Sequence, residues 1–169
     1  VLSAQNTDDS SFNLIESGLL FKKDSTNLWE VPMAQIITNI NYQHQEWVFP
    51  KTIKEICKQK VGYLSKNTNI YVGSQKPGTL KIIKSFLKKN PSDCSFHNTW
   101  RISTIKNIKY YKDKNNFIKL VSKNIHSGGL WDNVGLAIKV ALDLGVKANI
   151  IEKTVPKIKF EGRVQFIRG

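Results

Sequence analysis

Along the 169-residue chain, short β-branched runs alternate with longer apolar stripes of helical period. Phe12-Asn13-Leu14-Ile15 predicts a short strand, and the polar residues Val1–Ser11 before it read as a helix start or a loose end. Ile36-Ile37-Thr38-Asn39-Ile40, bounded by polar residues, predicts a buried strand. A polar turn carrying His44 follows. Pro50 and Thr52 then announce a helix on which Ile53, Ile56 and Lys60 recur at i, i+3 and i+7. Asn69–Gly73 repeats the strand signal. Pro77 opens a second helix striped by Leu80, Ile83, Phe86 and Leu87 and ended by Asn90-Pro91. Strands alternating with helices in this way are the pattern of an α/β fold with a mostly parallel sheet.

The pattern changes after Trp100. Trp100–Ile105 and Asn116–Val121 predict strands, with Lys112-Asp113-Lys114-Asn115 as a hairpin turn. A small antiparallel sheet inserted after the second crossover accounts for both. Tyr110-Tyr111-Lys112 interleaves aromatics with a cation, as nucleic-acid platforms do, but an accessory sheet with polar outer positions explains it as well. Val134–Leu144 is a strongly apolar helix for which Asp132 is the expected cap and Gly145 the stop. Ala148–Ile158 predicts a second short helix. Phe160–Ile167 closes the chain as a final strand bearing Arg163.

Composition narrows the class. Apolar residues make up 40% and charged residues 23%, which suits a globular protein. No apolar run reaches membrane-span length and no secretory signal is visible, so a cytoplasmic protein is expected. Cys57 and Cys94 form no metal or disulfide framework, and Cys57 reads as a small buried residue on its helix. The net charge is +13, which invites nucleic acid as a partner. Against that, the only arginines are Arg101, Arg163 and Arg168, and lysine is spread over the whole chain as over solvated faces. Gly73 and Lys76 do not have phosphate-loop spacing.

Several motifs, in order, carry a resemblance: Glu16-Ser17-Gly18-Leu19 with Asp24-Ser25-Thr26-Asn27; Ile36-Ile37-Thr38-Asn39-Ile40-x-Tyr42-x-His44-Gln45; Thr52-Ile53-x-x-Ile56 with Lys60-x-Gly62; Gly73-x-Gln75; Asp132-Asn133; and Gly162-Arg163. Together they resemble the Mur ligase superfamily, and within it folylpolyglutamate synthase/dihydrofolate synthase. The resemblance implies an α/β central domain of mostly parallel strands with flanking helices and a small antiparallel sheet. It implies Glu16 and His44 as magnesium ligands and Lys60 as a lysine carbamylated into a further anionic ligand. It implies Asp24, Asn133 and Arg163 on the nucleotide side, with Asn133 at the adenine and Arg163 at phosphate. ATP and Mg2+ are the implied cofactors, and folate and L-glutamate the implied substrates. The sequence departs from the pattern at Gln43 and Gln59, where the family has acids. It also departs at Leu20, Phe21 and Lys22 in place of two glycines and an arginine, and at Gly129 and Leu130 in place of histidine and glutamine.

Residues 1–169 are therefore expected to form one partial central (ATPase) domain. It would lack the family's N-terminal phosphate-loop part and its C-terminal Rossmann-like domain, and be inactive by itself. A complementing chain could supply both, as in a split ligase. The alternatives are a non-catalytic binding module and a basic nucleic-acid-binding protein.

Overall fold

A computed structural model describes residues 12–160. Its architecture is α/β: a three-stranded parallel sheet, a three-stranded antiparallel sheet, and flanking helices. In chain order the elements are β1 (Ala34–Ile37), α1 (Ile53–Val61), β2 (Asn69–Val72), α2 (Pro77–Leu87) and β3 (Asp93–Phe96). These are followed by β4 (Arg101–Ile105), β5 (Ile108–Lys112), β6 (Phe117–Leu120), α3 (Gly128–Asp143) and α4 (Ala148–Thr154). The two sheets are ordered β1-β2-β3 and β4-β5-β6. The residues divide into two compact units; half of β1 and most of β2 and β3 belong to the second.

The first unit holds the residues up to Gln35, 39–69 and 75–93. Its helices start where the sequence says. The Thr52 hydroxyl accepts the Glu55 N–H at 3.2 Å, which satisfies one of the free donors of α1, and Pro77 occupies the first turn of α2. Ile56, Cys57 and Val61 of α1 and Ile83 and Leu87 of α2 are buried. The buried Gln35 amide donates to Ser65 O (3.0 Å) and Thr68 Oγ1 (2.7 Å) and accepts from Ser65 N (2.9 Å), so its burial leaves no orphan group.

The second unit holds 36–38, 70–74 and the chain from Cys94 onward. Ile70, Tyr71 and Val72 are buried, as is Ile37, whose carbonyl accepts from Gly73 N at 2.9 Å. A Cβ on Gly73 would stand 3.0 Å from Leu136 Cδ2, so α3 packs against bare backbone there. Gly135 does the same for Ile102 and Trp100, and brings α3 onto the antiparallel sheet. Tyr111, Ile118 and Leu120 fill that interface.

Several expectations shift. Phe12–Ile15 forms no strand; Phe12 and Leu14 are exposed, and among the described residues no strand pairs with them to offset the cost of ordering. The first parallel strand lies two residues earlier than its apolar run. Its alternation buries Gln35 and Ile37 and exposes Ile36, while Ile40 is buried beyond the strand with its N–H on Gln75 Oε1 at 2.9 Å. β3 and β5 were not expected. The cap of α3 is Ser127, whose hydroxyl accepts the Leu130 N–H at 3.2 Å, so the helix begins at Gly128 and not after Asp132. Asp132 instead stands 3.9 Å from His97 Nε2. The last predicted helix stops at Thr154 and tightens into a 3-10 turn, Val155–Lys157, because Pro156 has no N–H for the ladder. The expected final strand lies outside the described residues beyond Phe160.

Candidate functional site

In the first unit the expected site residues sit on a loop and on the helix that holds it. Asp24 organises the loop. Its Oδ1 accepts from Thr26 N (2.9 Å) and Thr26 Oγ1 (2.6 Å), and its Oδ2 accepts from Gly18 N (2.8 Å). The Thr26 hydroxyl, followed by the Thr26 and Gly18 amides, holds the carboxyl below its usual range against a small burial penalty. Lys60 projects from the last turn of α1 and donates from Nζ to Leu19 O at 3.0 Å. Burial pushes its pKa down. Lys22 Nζ lies 4.7 Å from the centre of the Tyr63 ring. The loop is thus held by Lys60 of α1 and by Tyr63 just past its end.

His44 is half-buried after β1, in the left-handed region at φ 58°, where it leads into a 3-10 turn at Gln45–Trp47. Glu16 is exposed and lies outside any helix or strand, before the loop. Gln59 donates its amide to Glu55 Oε1 at 2.7 Å, so the position where the resembled family has an acid is tied to its own helix. Among the described residues no group of three or more His, Cys, Asp or Glu side chains is gathered for a metal. Magnesium takes oxygen ligands in near-octahedral geometry. Lys60 as an amine held by Leu19, an exposed Glu16, and an Asp24 carboxylate taken up by Thr26 and Gly18 do not fit that ion.

In the second unit Asn133 is exposed on α3. Asn133, Ala137 and Ala141 fall at i, i+4 and i+8 and line one wall of an apolar groove of about 550 Å³. Ile150, Ile151 and Val155 are on the opposite wall. The volume suits a small ligand, and Asn133 places a donor and an acceptor at the rim. The sequence pattern marked α3 as core, which holds for Val134 and Ile138. The small-residue spacing was the available signal for the groove. A polar concavity of about 510 Å³ lies at the other end of α3. Its carboxylates are committed: Asp143 to Lys139 at 2.7 Å and to Tyr71, whose pKa rises to about 12 through burial and then the Asp143 charge. Asp113 is bound to its own turn. Arg163 lies outside the described residues.

No protein-family profile matches the chain. Over 73 residues, 43% of its length, it is 33% identical to the dihydrofolate synthase/folylpolyglutamate synthase of Bacillus subtilis (strain 168), and that stretch is 16% of the relative. The apo form of L. casei FPGS superposes with a TM-score of 0.77 at 18% identity, over 92% of this chain and 40% of that one. This chain has the Mur-ligase-type fold of a folylpolyglutamate synthase. E. coli FolC in complex with DHPP and ADP shares the folylpolyglutamate synthase fold at TM-score 0.73 and 18% identity, over 90% of this chain and 36% of that one. The folylpolyglutamate synthase of Thermotoga maritima does so at 0.72 and 20%, over 89% and 35%. The chain therefore spans well under half the length of these relatives.

Proposed function

We propose that this chain is the central, nucleotide-side piece of an ATP-dependent ligase joining L-glutamate to folate. The observation that carries the reading is the fold match, which extends to an FPGS-AMPPCP-folate complex at TM-score 0.77 over 91% of this chain. The apolar groove with Asn133 at its rim supports an adenine subsite: Val134, Ala137 and Ile138 face the ring and the Asn133 amide reads its edge. Arg163 would hold phosphate through its bidentate fork. In the reaction a folate carboxylate oxygen attacks the γ-phosphorus and ADP leaves. The glutamate amine then attacks the acyl carbon, a proton is lost, and phosphate leaves as the amide forms. No step is assigned to a metal held by Glu16, His44 and Lys60. Residues 1–169 hold no Gly-x-x-x-x-Gly-Lys-Ser/Thr run, so the triphosphate needs a cradle from elsewhere, as in a complementing chain. We place the working protein in the cytoplasm; no described helix is long and apolar enough to cross a membrane.

The commitment of Asp24 and Lys60 to the 18–27 loop favours a second reading, a domain that binds nucleotide or folate without turnover. Calorimetric titration with AMP-PCP decides for or against the adenine subsite. Binding weakened about 10-fold by Asn133→Ala, which is about 1.4 kcal/mol, is the expected result. Absence of heat with AMP-PCP, ADP and adenosine overturns it. Folate-dependent glutamate ligation by the purified chain, with ATP and Mg2+, would refute inactivity of the chain by itself.

A further inference from the structure

The antiparallel sheet has two unlike faces. Register puts Ile102, Tyr111 and Ile118 in one cross-strand row and Thr104, Lys109 and Leu120 in the next on the same side. That side is the buried one: Tyr111, Ile118 and Leu120 are core. Lys109 donates to Thr104 Oγ1 at 2.8 Å and lies 5.8 Å from the Trp131 ring centre. The other face carries the rows Arg101–Lys112–Phe117 and Ser103–Tyr110–Lys119. Arg101, Lys112, Phe117 and Lys119 are exposed, Phe117 at 59%. The Tyr110 and Phe117 rings stack on each other at 4.9 Å with 9° between their planes.

Charge on this face has one sign. Across 101–120 the only acid is Asp113. It is bound by the Tyr111 hydroxyl at 2.8 Å and by the amides of Asn115 and Asn116, on the buried side of the sheet. The outer face thus offers a mutually stacked aromatic pair framed by three cations with no carboxylate among these residues. A strand of bases has π-faces to stack and phosphates to neutralise, and this pattern is complementary to both.

We infer that the outer face of β4-β5-β6 binds single-stranded nucleic acid, with bases on Tyr110 and Phe117 and phosphates on Arg101, Lys112 and Lys119. The scattered lysines of the sequence argued against such a partner; the sheet register gathers these three beside the aromatics. The test is fluorescence anisotropy of the full chain with labelled 12-mers of oligo(dT) and oligo(U) and a 12-base-pair duplex, over a salt series. Expected are a preference for the single strands and a slope of log affinity on log salt of about −2, from about 0.7 per neutralised phosphate at three sites. Phe117→Ala weakens binding about 5- to 100-fold and Phe117→Trp restores it. Lys112→Gln and Lys119→Gln each flatten the slope by about 0.7. Equal binding to the duplex, or no change in Phe117→Ala with its circular dichroism intact, overturns the proposal. So does a loss from Lys54→Gln and Lys88→Gln, which belong to the first unit, as large as that from Lys112→Gln and Lys119→Gln.

Discussion

Tyr111 is fully buried, and its hydroxyl donates to Asp113 Oδ2 at 2.8 Å. Tyr111→Phe removes that one oxygen and leaves the ring packing in place. A hydrogen bond to a charged acceptor contributes roughly 1.5–3 kcal/mol, and Asp113 is only half-buried, so water can replace part of the loss. The expected cost is about 1.5 kcal/mol, a fall in Tm of roughly 3–6 °C for a chain of this length. Tyr110 on the opposite face is the control: Tyr110→Phe should stay within about 0.5 kcal/mol. Urea unfolding at pH 7, repeated toward pH 3, adds the electrostatic test. Burial works to raise the Asp113 pKa, but the Asn115 amide, the Tyr111 hydroxyl and Asn116 outweigh it, and the net shift is downward. A carboxyl with a depressed folded pKa contributes stability that is complete above its unfolded value and is lost as pH falls through the folded one. The Tyr111→Phe penalty should therefore shrink in acid. Burial and the same carboxylate push Tyr111 itself well up, so its share holds below its unfolded value and is lost only as pH rises beyond. Equal effects of Tyr111→Phe and Tyr110→Phe, or a penalty independent of pH, would refute the argument.

Ile56 is fully buried in the first unit, so Ile56→Ala should cost about 2–5 kcal/mol by urea unfolding. Gly73→Ala would set a Cβ 3.0 Å from Leu136 Cδ2 and 3.4 Å from Ile37 O; Leu136 is 2% exposed and has little room to yield, so a loss of about 1–3 kcal/mol is expected in the same assay. Lys60→Met removes the clamp on Leu19 O but also relieves the burial of an ammonium, and the two offset to within about 1 kcal/mol. Its signature is local: hydrogen exchange at the Gly18 and Thr26 amides should speed up while α1 is unchanged.

The elements legible in the sequence were those with start signals that act locally. Thr52 and Pro77 fix the helix starts of α1 and α2 through a hydroxyl acceptor and a fixed φ, and both stand where expected. The missed strand β5 is preceded by a two-residue turn at Lys106-Asn107, with φ of 47° and 64° and no glycine to announce it. β3, Asp93-Cys94-Ser95-Phe96, has neither β-branched residues nor alternation, so pairing within the sheet decides it. At α3 the pair Gly128-Gly129 reads as loop and hid a first turn already capped by Ser127.

For the candidate site, the sequence supplies candidate residues but not the hydrogen bonds that commit them. Glu16, His44 and Lys60 were named through a family resemblance, and nothing local to Lys60 points to Leu19, 41 residues away. Asp24 is different: Asp24-x-Thr26 is an Asx-type pattern, and the bonds to Thr26 are the ones it forms. That distinction bears on function. A lysine becomes a metal-binding carbamate only as a free, neutral amine, and desolvation moves Lys60 toward neutrality while Leu19 O holds its proton in place. Carbamylation would have to displace that hydrogen bond and leave the Leu19 carbonyl to water, loosening the loop that Asp24 and Lys60 jointly hold. A carbamate at Lys60 would therefore require a rearranged loop, whereas the groove beside Asn133 is open as it stands. On these grounds nucleotide binding by the second unit is the more direct of the two functions to look for.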